Sequence, residues 1–78
     1  LTLLELKEGD TAVISRVSGG KGVSARMAGL GLRAGKKVRV VRAAPFRGPL
    51  LIEDISSGAR TMIGRGIASH VEILNEKR

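Results

Sequence analysis

Seventy-eight residues hold one compact unit with one core, and a chain of that size buries only about 60% of the surface its unfolded form exposes, which argues against a deep, water-excluding catalytic cleft. The absence of cysteine excludes a disulfide framework, a thiolate metal site and a thiol nucleophile. Fourteen Lys and Arg against seven Asp and Glu give a net charge of +7, which points toward nucleic acid, anionic lipid or an acidic protein surface. Phe46 is the only aromatic residue, so base stacking, the usual grip on single strands, has little to work with.

Short runs rich in Val, Ile and Leu alternate with glycine throughout, the pattern of a small, mainly β barrel. The first strand spans Thr11–Val17, bounded by Glu8-Gly9-Asp10 and Gly19-Gly20-Lys21-Gly22. Val23, Met27 and Leu30 then fall at i, i+4 and i+7 and predict one short helix, set in a helical insertion from Ser18 to Gly35. Gly29 weakens it by about 0.5–1 kcal/mol relative to Ala, so packing must hold it. Gly31 is placed to stop it in the left-handed region. Lys37–Arg42 alternates apolar and basic residues, with Val38 and Val40 toward the core and Arg39 toward solvent. Leu50–Ile55 and Thr61–Ile63 flank Ser56-Ser57-Gly58-Ala59 as a hairpin, and the last strand covers Val71–Leu74. The expected architecture is one domain, 1–78, of about five strands with the helix between the first two.

Candidate chemistry is thin. Gly19-Gly20-Lys21-Gly22 precedes a helix as phosphate-cradling loops do, but it lacks the spacing and the terminal Ser/Thr of a P-loop, and a turn with a solvated lysine is the simpler reading. His70, the only histidine, has no evident nucleophile or co-ligand and is read as a surface or rim residue. Glu53 and Asp54 are neighbours on a strand and point to opposite faces, so they cannot jointly hold a metal. No catalytic residue, cofactor or metal site is expected. The longest stretches without a charged residue, Met27–Leu32 and Gly66–Val71, fall far short of the about 20 apolar residues of a membrane helix. With no secretory pattern at the N-terminus, a cytoplasmic chain is expected.

Two resemblances attach to these segments. Gly35 to Val41 with Phe46-Arg47-Gly48 resembles a KOW-type element of ribosomal and transcription proteins, where a basic loop rests on RNA. More specific is the run Arg26-Met27-Ala28-Gly29-Leu30-Gly31-Leu32-Arg33-Ala34-Gly35 leading into Lys37-Val38-Arg39-Val40. It resembles the FeoA family signature, an arginine-bearing short helix, Leu-Gly-Leu and a turn before a strand. Leu3 to Leu6, Gly9, Gly19-Gly20, the Ala44–Leu50 turn, and Ala68, Val71 and Ile73 follow in the family's order, so the likeness covers nearly the whole chain. Ala34 departs from the usual proline, which only loosens the turn.

The resemblance implies an SH3-like barrel that acts on the cytosolic, G-protein-containing part of FeoB-type ferrous-iron permeases. Such a protein would be non-enzymatic and peripheral to the membrane only through its partner. Met27, Leu30 and Leu32 are expected to plug one end of the barrel, with Gly31 and Gly35 permitting the chain reversal. Lys21, Arg26, Leu30 and Arg33 are the candidate partner-binding residues, a positive rim about an apolar patch. A basic nucleic-acid-binding barrel and the SH3-like domain of an iron-dependent repressor are the alternatives, and the oligomeric state is left open.

Overall fold

The computed structural model describes residues 1–74, so the last residues of the expected 1–78 span lie outside it. Thr2 opens the described chain as the cap of a single 3-10 turn, Leu3–Glu5: its hydroxyl accepts from the Leu4 amide while the Glu5 side chain returns to the Thr2 amide. That turn buries Leu3 completely. Strand β1 is Thr11–Val17, helix α1 Gly20–Gly29, β2 Lys37–Ala43, β3 Leu50–Asp54, β4 Arg60–Ile63, helix α2 Arg65–Ala68 and β5 Val71–Ile73.

The strands form one antiparallel sheet in the order β4-β3-β2-β1-β5. Two irregularities bend it. Ser15 is the extra residue between the pairs Ile14–Ile73 and Arg16–Glu72, and Val41 is the extra residue between Val40–Ile52 and Arg42–Leu51. The curled sheet wraps its inner face around one core, in which Ile14, Val38, Val40, Ile52 and Val71 from four strands meet Leu3 and Met27. Alternation along β2 accounts for the division, since Val38 and Val40 are buried while Lys37 and Arg39 are exposed. Among the described residues no polar or charged side chain is fully buried.

The mainly β, five-stranded architecture with a helix between β1 and β2 is the one the sequence predicts. Several details differ. Helix α1 begins at Gly20, so Gly20-Lys21-Gly22 forms its first turn rather than a preceding loop. Leu30 is the C-cap and is 44% exposed, so it does not plug the barrel; that role falls to Met27 and Leu32. The reason is the way the helix ends. Gly31 takes φ +83°, the Gly31 amide donates to the Ala28 carbonyl at 2.9 Å, and the Leu32 amide donates to the Met27 carbonyl at 2.9 Å. This is a Schellman closure, which brings the residue after the glycine back onto the helix's last apolar residue and turns the cap residue outward. Helix α2 lies outside the elements the sequence predicts. It is four residues long and buries Ala68.

Candidate functional site

The face built by α1 and its closure is where the sequence places the partner-binding residues. Met27 anchors it at 1% exposure, Val23 packs partly against the same core, and Leu32 at 2% closes the end. Outward stand Ser24, Ala25, Arg26, Ala28 and Gly29, all exposed. The side chains on this face are small apart from Arg26, so a partner could approach the helix backbone closely.

Arg26 and Leu30, four residues apart, lie on one side of the helix. Lys21 is five residues before Arg26, about 140° around the axis and about 7.5 Å along it. Lys21 and Arg26 therefore border the face from different sides and do not form one cluster. Arg33 follows the buried Leu32 and is exposed at the foot of the helix. Among the described residues, none of these three cations forms an ion pair with a carboxylate. Arg26 and Arg33 present their charge near Leu30, whereas Lys21, nine residues before Leu30, lies about 180° around the axis at the other end of the helix.

Gly35 also has positive φ, +91°, and its amide donates to the Ile14 carbonyl at 2.8 Å, which fixes the reversal into β2. At the other end of α1, Gly19 is the N-cap at φ +95° and contributes no side-chain cap. A β-carbon there would sit 3.1 Å from the His70 ring and from Val23. His70 is half-buried, its Nδ1 3.4 Å from Ser18 Oγ, and its carbonyl accepts from the Ser18 amide at 2.8 Å. It is a rim residue that ties β5 to the start of the helix.

A second polar feature went unread in the sequence. Lys36 Nζ lies 3.0 Å from Asp54 Oδ2, and Asp54 Oδ1 accepts from the Ser56 amide at 3.0 Å and the Ser56 hydroxyl at 2.8 Å. These bonds, the Lys36 contact foremost, hold the Asp54 carboxyl down at about 2. The Asp-x-Ser spacing of an Asx turn was the available signal. Asp54 Oδ2 is also the nearest side-chain atom to Gly31, so the helix closure and the β3–β4 turn meet at one corner. Among the described residues no group of three or more His, Asp and Glu converges to hold a metal ion, and no helix is long and apolar enough to cross a membrane.

The FeoA domain family matches residues 1–74. This chain belongs to the FeoA family. A curated relative from Methanocaldococcus jannaschii, named for Fe(2+) transport as protein A, is 30% identical over 67 residues, which cover 86% of this chain and 77% of that protein. Among solved structures, an iron uptake regulatory protein (FeoA) superposes with a TM-score of 0.83 at 27% identity, covering 95% of this chain and 93% of that one. A manganese-dependent transcriptional repressor superposes at 0.85 and 23% identity, covering 95% of this chain and 35% of that one; this likeness is one of fold. The protein is thus a member of the FeoA family with an SH3-like fold.

Proposed function

We propose that this FeoA protein is a cytoplasmic accessory module that binds the cytosolic, G-protein-containing part of a FeoB-type ferrous-iron permease and regulates it. The binding face is that of α1, with Leu30 as the apolar anchor, Arg26 and Arg33 as the cations beside it, and Lys21 as a more distant charge at the start of the helix. One observation carries the reading: Leu30 is 44% exposed at the end of the family's signature segment, turned outward by a closure that buries its neighbours Met27 and Leu32. A motif needed only for packing would not require a large apolar residue at the one position the Schellman geometry leaves outside.

The division of labour follows from interface physics. Rim charges chiefly raise the association rate, and an apolar anchor sets dissociation. The experiment is surface plasmon resonance of the protein over the immobilised cytosolic region of the permease from the same organism, across a salt series. Saturable binding whose association rate falls as salt rises is the expected result. No binding at protein concentrations up to about 1 mM, a free energy near 4 kcal/mol, would overturn the reading.

A further inference from the structure

On the outer surface of β2, β3 and β4 we infer a docking site for an extended, acidic protein segment that adds to the free edge of β4. This inference is independent of the reading above, since it concerns different residues and a different mode of contact.

The edge comes first. Sheet order leaves β4 paired on one side only, with β3. Its register continues the bond from the Asp54 amide to the Ala59 carbonyl at 2.8 Å, so the directly bonded pairs in this ladder are Ile52–Thr61 and Leu50–Ile63. The pairs Glu53–Arg60 and Leu51–Met62 are then the non-bonded ones. The amide and carbonyl of Arg60 and of Met62 therefore point away from β3, and among the described residues nothing bonds to them. An unpaired edge of this kind is a template for another strand.

Side chains then specify the strand. Arg42, Leu51 and Met62 face each other in one cross-strand row, and with Ala44 and Pro49 they line an open groove of about 130 Å³. That volume approaches the roughly 150 Å³ of a cavity that accepts a benzene ring, enough for one apolar side chain. Met62 is 61% exposed beside it. At the tip of the loop that Ala44 and Pro49 close, Phe46 is 97% exposed and, with Arg47, holds a positive φ of 57° and 63°. A bulky residue adopts that conformation only against a backbone preference, and here it presents the only aromatic ring of the chain to solvent.

Charge selects the occupant. Arg39 is paired with Glu53 at 3.3 Å, but among the described residues Arg42, Arg47 and Arg60 have no carboxylate partner. A second copy of this chain on the same edge would set these arginines against their own counterparts, which disfavours self-pairing. A lipid surface would leave the open backbone groups of Arg60 and Met62 unmatched. An extended segment with an Asp or Glu two positions from an apolar residue satisfies the edge, the groove and the arginines together, because Arg60 and Met62 share one face of the sheet and residues two apart in a strand reach the same face.

The test is a selection of roughly ten-residue random peptides displayed against the full chain, followed by amide-shift mapping with a synthesised winner. Enrichment of an acidic residue two positions from an apolar one is expected, with the shifts and slowed amide exchange centred on Arg60 and Met62. Met62→Glu and Arg60→Glu, both at exposed positions, should each weaken the peptide about ten-fold with an unchanged circular dichroism spectrum, whereas Lys7→Glu, the same charge change elsewhere, should not. Failure to enrich, selection of basic or uncharged peptides, or shifts confined to α1 would overturn the proposal. So would sedimentation showing a dimer that Met62→Glu dissolves, or phosphatidylglycerol vesicles that shift the β4 amides more strongly than the peptide does.

Discussion

Lys36 and Asp54 are joined at 3.0 Å across the corner where α1 closes and the β3–β4 turn begins. The pair fastens the segment that enters β2 to the end of β3, beside Gly31 of the family's signature. Asp54 in turn holds its own hairpin, since its carbonyl accepts from the Gly58 amide at 2.7 Å.

This arrangement has a pH signature. Asp54 is held at about 2 against an ordinary 3.8 by its bonds to Lys36 and Ser56. A carboxylate with a depressed folded-state value stabilises the fold fully above the unfolded value and loses that contribution as pH falls through the folded one. Urea midpoints of the wild type and Asp54→Asn, measured from about pH 6 to pH 2, should therefore differ by a constant amount above about pH 5 and converge toward pH 2. A difference that stays the same down to pH 2 would show that the carboxylate charge contributes nothing.

Leu32 and Leu30 should part company on truncation. At 2% exposure Leu32 fills the barrel end, so Leu32→Ala leaves a cavity and should cost roughly 2–5 kcal/mol. Leu30→Ala removes a partly exposed side chain and should stay within about 1 kcal/mol. Denaturant melts of the two variants decide it, and equal losses would mean that both leucines pack inside.

Much of the fold was legible in the sequence. The alternation of Val38 and Val40 with Arg39 marks β2, and Gly58 marks the hairpin by its need for positive φ, here +80°. The helix was legible too, through Val23 and Met27. Leu30 was misread as core because helical period continues past the point where the helix ends, and only the Schellman closure decides which leucine turns inward. Helix α2 gave no periodic signal, being a single turn containing Gly66. The open edge of β4 depends on strand order, which no local pattern encodes, and so Met62 and the groove beside it were unreadable before the sheet was seen.

Gly31 gives a further check on the closure. Its φ of +83° places any L-residue with a side chain in the left-handed region, at a cost of about 1–2 kcal/mol. No atom crowds a β-carbon there, the nearest being Asp54 Oδ2 at 4.0 Å. Gly31→Ala should therefore destabilise through backbone strain alone, and Gly31→Asn should recover part of the loss because asparagine tolerates that conformation. Thermal melts of the two variants are the measurement; an alanine variant as stable as the wild type would mean that the helix does not need this closure.

The claim that the α1 face engages the permease is tested most directly by Leu30→Asp and Arg26→Glu, assayed by surface plasmon resonance against the permease's cytosolic region after circular dichroism has verified folding. Both side chains are exposed, so neither change removes core packing. The account predicts that Leu30→Asp accelerates dissociation at every salt concentration, while Arg26→Glu slows association by an amount that shrinks as salt rises. Two folded variants that bind with wild-type rates would contradict it.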